Sequence, residues 1–335
     1  MADTMQIWQT KSYGEDAKFE QVEIPVPEPE EGEILIEVKA IALNPVDNKM
    51  LRNDLGINPE LPATMHGDVS GVVAKVGAKV SKFEKGDEVY ACAGGFVGTP
   101  GATSEYMPAD AKLVANKPES LSFREAAALP LVSITAWESL IDHAGIKAGD
   151  HVLVHGGTGG VGHVAAQLAK AKGSQVATTI SSKKKSQISK KLGADETINY
   201  REESVDDYIE RLTDGTGFDT VYDTVGGENF EKSLQAVRTY GDVITVFTGT
   251  KSTEMELMTA FMKAASVHFQ NMSIPLVTGQ NREHHGYILE QIAHLADQGK
   301  IKPLLDEKEF SFSDINDVHA RFEAKAHLGK IVLSV

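Results

Sequence analysis

The sequence predicts an α/β protein in two parts, and three observations carry that prediction. From His151 onward, short apolar runs alternate with helical stretches; a glycine-rich turn joins the first such run to the first helix; and the first 120 residues show only short strand-like runs between prolines and glycines. The central alternation is that of a doubly wound parallel sheet, and the spacing before it is that of an all-β, barrel-like domain.

In the amino-terminal part, strand-like runs fall at residues 5–9, 33–41, 71–76, 88–91 and 104–107, separated by turn-rich stretches at 25–29 and 94–101. The character changes at Ser122, which with Glu125 makes a capping box ahead of Ala126, Ala127, Ala128 and Leu129. A helical, alanine-rich stretch then extends to residue 140.

Val152, Leu153 and Val154 form a run suited to a strand buried on both faces. Gly157, Gly159 and Gly162 follow at the spacing G-x-G-x-x-G, with Thr158, Gly160 and Val161 between them, and Val164, Ala165, Leu168 and Ala169 continue at helical spacing. Such glycines let backbone N–H groups approach a pyrophosphate that the helix dipole also favours, so the loop predicts a dinucleotide. The pattern gains weight from what comes after it: strands at 175–180, 197–200, 218–222 and 243–247, and helices at 183–192, from 205, and at 228–236.

The end of the second central strand bears on the cofactor. An NAD site places a carboxylate roughly 20 residues beyond the glycines to bind the ribose 2′-hydroxyl. Here the chain reads Ile180, Ser181, Ser182, Lys183, Lys184, Lys185. Hydroxyls and cations suit a 2′-phosphate, which favours NADPH, although each lysine taken alone also reads as a solvated helix residue.

Toward the carboxyl end, Ile288, Leu289, Ile292 and Leu295 mark a helix over 284–298, Ser313 is expected to cap another, and a last strand is expected at 330–333. These elements exceed what one doubly wound unit needs, so the carboxyl end is expected to return to the first domain, giving 1–125 with 273–335 as one domain and 126–272 as the other. Val267, Phe269 and residues 270–274 read as a β-rich edge of the central sheet. An unpaired apolar edge invites a second copy, which predicts a homodimer.

Composition bounds the function. A hydrophobic share of 41% and a charged share of 24% are ordinary for a water-soluble fold of 335 residues, long enough for two cores. No apolar run approaches the ~20 residues of a membrane span, and the amino terminus lacks a signal-peptide pattern, so a cytoplasmic location is expected. The single cysteine, Cys92, excludes an internal disulfide and a multi-cysteine zinc site, and a net charge of −15 opposes nucleic-acid binding.

Several stretches together resemble the medium-chain dehydrogenase/reductase superfamily, and within it the zinc-independent quinone oxidoreductases related to zeta-crystallin. They are Asn44-Pro45-Val46-Asp47, the run from Gly67 through Asp68 to Val73, residues 126–137, residues 155–162, Ile198-Asn199-Tyr200-Arg201, and Gly329-Lys330-Ile331-Val332-Leu333. The resemblance implies a GroES-like β-barrel domain built from both chain ends around an inserted Rossmann domain, with the active site in the cleft between them. It matches Ser181, Lys185 and Tyr200 to positions that hold the adenosine 2′-phosphate, though Tyr200 also reads as a strand-end aromatic. Phe247 matches a position beside the nicotinamide, Thr135 and Val161 line the same pocket, and Lys330 is taken as a further cofactor-binding position.

Metal-dependent relatives hold catalytic zinc with Cys and His. Asn44 stands where the first Cys would be, Gly67 occupies the His position, and His66 falls one residue early, so no metal is expected and Cys92 reads as structural. Without zinc, hydride addition to a quinone or to an enone β-carbon is favoured, because the product anion is delocalised and hydrogen-bond donors can stabilise it. Asn44 is the expected donor, Asp47 is expected to fix the local turn, and Asn48 stands where many relatives have Tyr. The expectation is therefore NADPH-dependent, zinc-free reduction of a small-molecule quinone or enone. An alkenal or enoyl-thioester double-bond reductase, a non-catalytic NADPH-binding protein and a zinc-dependent alcohol dehydrogenase are the alternatives.

Overall fold

Alternating buried and accessible side chains make strands of Thr4–Thr10 (β1) and Phe19–Pro25 (β2), which pair antiparallel with Thr4 opposite Pro25 and Thr10 opposite Phe19. Further along lie Glu33–Ala42 (β3), the helix Pro45–Arg52 (α1), Ala63–Thr64 (β4), Asp68–Val76 (β5), Glu88–Cys92 (β6), Tyr106–Asp110 (β7) and Val114–Asn116 (β8). The computed structural model describes residues 3–246 and 257–335. Four of these elements are additions to the sequence expectation: β2, beside a proline-rich stretch, the short strands β4 and β8, and α1. The start of α1 is nonetheless written in the chain, with Asn44 as N-cap, proline in the first turn and Asp47 at the third position.

Ser122 caps as expected: Glu125 N donates to its Oγ at 3.3 Å, and its own N–H donates to Glu125 Oε2 at 2.9 Å. The single helix expected behind it is broken, into Phe123–Ala127 (α2) and Pro130–Trp137 (α3), where Pro130 removes an N–H from the ladder.

The centre holds His151–His155 (β9), Gly160–Ala171 (α4), Gln175–Ile180 (β10), Lys183–Lys191 (α5), Glu196–Asn199 (β11), Val205–Thr213 (α6), Phe218–Asp223 (β12), Asn229–Ala236 (α7), Val237–Thr245 (β13), Leu257–Lys263 (α8) and Ser266–Phe269 (β14). The six strands are parallel in the order β11-β10-β9-β12-β13-β14. Chain direction across the sheet reverses between β9 and β12, the place where doubly wound sheets bind ligands. Leu153, Ala177, Ile198, Phe218, Val221 and Val243 are among the residues that form its core. β13 begins at Val237, six residues ahead of expectation, and Phe247 lies outside the described residues.

The carboxyl end adds Ile274–Thr278 (α9), Arg282–Asp297 (α10), Phe310–Ser311 (β15), Ile315–Glu323 (α11) and Val332–Ser334 (β16). β16 pairs antiparallel with β3, Val332 opposite Ala42, and completes a sheet of order β15-β16-β3-β5-β6-β8, with β7 also on β3. Ser313 is not the cap of α11. Asp314 holds that place, while Ser311 makes the capping box with Asp314, its N–H on Asp314 Oδ2 at 2.8 Å.

Contacts divide the chain into unit 1 (Met1–Ile134, Met272–Gly299 and Pro303–Val335) and unit 2 (Thr135–Asn271 and Lys300–Lys302). The first boundary falls within α3 rather than after residue 125, because Ala127 and Ala128 pack against Ala40, Ala42 and Val332 of unit 1. Residues 300–302 join unit 2 through Gln167 of α4, whose side chain donates to Lys302 O and accepts from Lys302 N, both at 2.9 Å.

Candidate functional site

Two polar assemblies stand out, one in each unit. In unit 2, β9 runs into the glycine loop through Gly156 at φ 75°. A Cβ added at Gly157 would lie 2.4 Å from Thr178 Cβ, and one at Gly162 would lie 2.2 Å from Gly156 O, so packing demands glycine at both. At Gly159 an added Cβ would meet a single atom within 4 Å, Gly156 O at 3.2 Å, a tight contact that a small shift can relieve, so this residue is less crowded than its two neighbours in the motif. Gly159 is also the N-cap of α4, and no side chain caps that helix. The first-turn N–H groups of Gly160, Val161 and Gly162 are thus left to a ligand, and an uncapped helix start behind a glycine suits an anion.

At the end of β10, Ser182 caps α5 by accepting from Lys185 N at 3.3 Å. Ser181 and Lys185 are half-buried, and among the described residues the Lys185 ammonium has no partner. Tyr200 is 51% exposed with the Arg201 guanidinium 5.8 Å from its ring centre. Thr158 is buried in the loop, and Thr135 is buried with its carbonyl accepting from Ser139 Oγ at 2.7 Å and from Tyr222 OH at 3.3 Å.

A pocket of about 330 Å³ opens within unit 2 among His155, Thr179, Tyr200, Val205, Asn229 and Lys232. His155 was not singled out from the sequence. It is buried, its Nδ1 lies 3.4 Å from Thr179 Oγ1, and among the described residues its Nε2 has no partner. Burial pulls the imidazole down to about 4, against the opposing pull of Asp223. Asp223 accepts through Oδ1 from Val225 N, Gly226 N and Asn229 Nδ2, each at 2.9 Å, and so shapes the turn after β12.

In unit 1, Asn44 is wholly buried. Its N–H donates to Asp47 Oδ2 at 2.7 Å, its Nδ2 donates to Asp68 Oδ2 at 2.8 Å, and its Oδ1 accepts from Lys330 Nζ. Lys330 also reaches Asp68 Oδ2 at 3.2 Å, and Asp68 Oδ1 accepts from Leu131 N at 2.8 Å. Lys330, expected as a cofactor contact, has its ammonium on Asn44 and Asp68, where a buried cation meets a buried carboxylate. Asp47 Oδ1 has no partner among the described residues, and burial raises this carboxyl to about 7; the Asn44 N–H bond opposes the rise, Asp68 adds to it and Lys330 opposes it.

Beside this cluster, His66 Nε2 lies 3.1 Å from His319 Nε2, and His319 Nδ1 lies 2.8 Å from Asn48 Oδ1. Burial holds His66 well below the ordinary histidine range and His319 at about 3, so both are neutral. The residue after His66 cannot carry a side chain without movement: a Cβ at Gly67 would lie 2.8 Å from Gly94 O and 2.9 Å from Cys92 Sγ. Among the described residues, no group of three or more His, Cys, Asp or Glu side chains is placed to hold a metal.

The parallel sheet, its switch point and the uncapped helix behind the glycine loop define a nucleotide-dependent oxidoreductase fold joined to a β domain. Comparison with known proteins gives the family. The model of the alcohol dehydrogenase GroES-like domain matches residues 30–119 and that of the zinc-binding dehydrogenases matches residues 192–333. The chain is 36% identical to a 2-methylene-furan-3-one reductase of Solanum lycopersicum, covering 98% of this chain and 79% of the relative. It is 30% identical to a human quinone oxidoreductase (93% and 92%) and 32% identical to a chloroplastic NADPH-dependent alkenal/one oxidoreductase of Arabidopsis thaliana (98% and 79%). A solved alcohol dehydrogenase superfamily protein from Novosphingobium aromaticivorans superposes with a TM-score of 0.93 at 33% identity, covering 98% of this chain and 99% of that one. The chain belongs to the medium-chain dehydrogenase/reductase superfamily, on its quinone oxidoreductase-like branch. As a member it is an NAD(P)-dependent oxidoreductase.

Proposed function

We propose that the protein reduces a small quinone or α,β-unsaturated carbonyl with NADPH, without zinc. The observation that carries the cofactor half is the uncapped start of α4 behind Gly159, together with the turn after β10, where Ser181 stands and Lys185 of α5 follows without a partner among the described residues, in place of a carboxylate. In this reading the loop N–H groups bind the pyrophosphate, and Ser181, Lys185 and Tyr200 meet the 2′-phosphate. The pocket beside His155 and Thr179 has room for a purine. When bound, NADPH supplies a hydride from its nicotinamide ring.

The acceptor half rests on the relatives named above and on the amides of α1. Neutral donors are enough for a delocalised enolate or hydroquinone anion, whereas a simple ketone would give a localised alkoxide. Zinc independence is supported by the amide at position 44 and by the crowding at Gly67. Relatives named for alkenals and furanones favour, as a second reading, a double-bond reductase working through the same groups. Loss of NADPH absorbance on adding a panel of benzoquinones, alkenals and enoyl thioesters separates the two. A protein that binds NADPH and turns over nothing in the panel would be a binding protein instead.

The same reading makes the protein a cytoplasmic homodimer. Its support is that β14 closes the order of the central sheet with Phe269 58% exposed, and that no helix among the described residues is long and apolar enough to cross a membrane.

A further inference from the structure

The stretch of α4 from Gly162 to Ala169 is buried throughout, and only two of its side chains are polar: His163 and Gln167, one turn apart. Both bond to main chain. His163 Nδ1 lies 2.9 Å from Gly159 O, the carbonyl that also accepts His163's own N–H at 3.1 Å. A carbonyl oxygen can only accept, so the ring carries a hydrogen on Nδ1 and donates it there. Gln167 Nε2 donates to His163 O and to Lys302 O, and its Oε1 accepts from Lys302 N, each at 2.9 Å. A main-chain N–H at one end and carbonyls at the other leave that amide a single orientation, so the turn that carries His163 is braced from behind.

The two bonds on Gly159 O bear on the loop in front of the helix. The peptide between Gly159 and Gly160 joins two residues without a Cβ, so little steric resistance opposes its rotation. In a trans peptide the C=O and the N–H point opposite ways. With Gly159 O drawn toward the helix, the Gly160 N–H points out of the helix start, where no side chain caps α4. A rotated peptide would set a carbonyl oxygen there instead and repel an anion. Leucine would fill the buried space of His163 with no polar group to desolvate. What the imidazole adds is a second hold on this carbonyl.

Resting on the cofactor reading above, we propose that His163 is a positioning residue for the dinucleotide: by anchoring Gly159 O it keeps the Gly160 N–H aimed at the pyrophosphate. The ring acts through the peptide and touches no part of the ligand, so it serves NADPH and NADH alike.

The test is titration of the full chain with NADPH, NADH and 2′-AMP, alongside thermal melts. His163→Leu removes the donor and keeps an apolar side chain in the buried space; His163→Met, unbranched, replaces it if the leucine variant does not fold. Affinity for NADPH and for NADH is expected to fall about tenfold, the order of one hydrogen bond's net worth. Binding of 2′-AMP, which carries the base and a 2′-phosphate but no pyrophosphate, is expected to stay as in the parent. His163→Asn sets Nδ2 the same number of bonds from Cβ as the ring Nδ1 and leaves a cavity. It is expected to have a lower Tm than His163→Leu, yet to bind both dinucleotides within about threefold of the parent. A role in packing alone would rank the two variants the same way in Tm and in affinity. NADPH affinity within about twofold of the parent in folded His163→Leu, an equal loss for 2′-AMP, or an asparagine variant that binds no better than the leucine one overturns the proposal and leaves the cofactor reading intact. An unmodified protein that binds neither NADPH nor NADH removes the cofactor reading, and this inference with it.

Discussion

Among the described residues Lys185, in the first turn of α5, makes no ion pair, so its contribution to cofactor choice can be isolated. Lys185→Glu replaces attraction by repulsion at the 2′-phosphate. A charge-assisted bond is worth roughly 1.5–3 kcal/mol, so NADPH affinity should fall about 10- to 100-fold while NADH is barely affected; fluorescence titration with each cofactor reads this, and equal losses would mark Lys185 as a solvated helix residue. Asp47 gives a stability signal. Its folded value of about 7 stands above the ordinary 3.8, so the folded chain holds a proton that the unfolded chain has released. Its contribution is complete below about pH 4 and is lost as pH rises through 7, at up to about 1.4 kcal/mol per pH unit. Asp47→Asn should flatten the fall in Tm between pH 5 and 8, and an unchanged slope would assign it to other groups. At this scale the sequence was legible where local pattern carries the chemistry, as in Gly157, Gly159 and Gly162. The contacts of Lys330 were not legible, because its partners, Asn44 and Asp68, lie more than 260 positions away. His66 and His319, 253 apart, form a pair that no spacing rule reveals.

The glycine loop separates two roles that one motif conceals. Gly159→Val meets one tight contact, Gly156 O at 3.2 Å, that a small shift relieves, and should leave the chain folded while blocking the pyrophosphate, so both NADPH and NADH binding are lost in titration. Gly162→Ala drives a Cβ into the Gly156 carbonyl and should lower Tm, with cofactor affinity falling only as far as the loop shifts. Normal NADPH binding by folded Gly159→Val would remove the loop from the phosphate site. The inner strands of the central sheet were readable because burial on both faces makes them near-continuous apolar runs, as in residues 152–154. β2 was not, since Pro25, Pro27 and Pro29 dominate its surroundings, and α1 was read as a turn because its capping residues also form the Asn-Pro-Val-Asp motif. The cap of α11 shows the limit of a one-residue signal: two serines, Ser311 and Ser313, compete locally, and the box formed by Ser311 and Asp314 prevails over Ser313.

For the molecule as a whole, the edge at β14 predicts assembly. Phe269→Lys should turn a dimer into a monomer or destabilise the protein, because it puts a charge in a contact that must be dry; light scattering that finds the unmodified protein monomeric over a wide concentration range would overturn the dimer and leave the cofactor argument standing. Return of the carboxyl end to the first domain followed from counting elements, but the boundary within α3 did not, because the alanines that fix it pack against residues far along the chain. The pairing of β16 with β3 sets an order for biosynthesis. While the ribosome is still adding α10 and α11, unit 2 has all of its strands, yet the Ala40–Ala42 segment of β3, already paired with β5 on one side, still lacks β16 on the other. Closure of that edge of the amino-terminal sheet therefore waits until Val332–Ser334 have left the ribosome, and a nascent chain stalled before Val332 carries an open strand edge for a chaperone to shield.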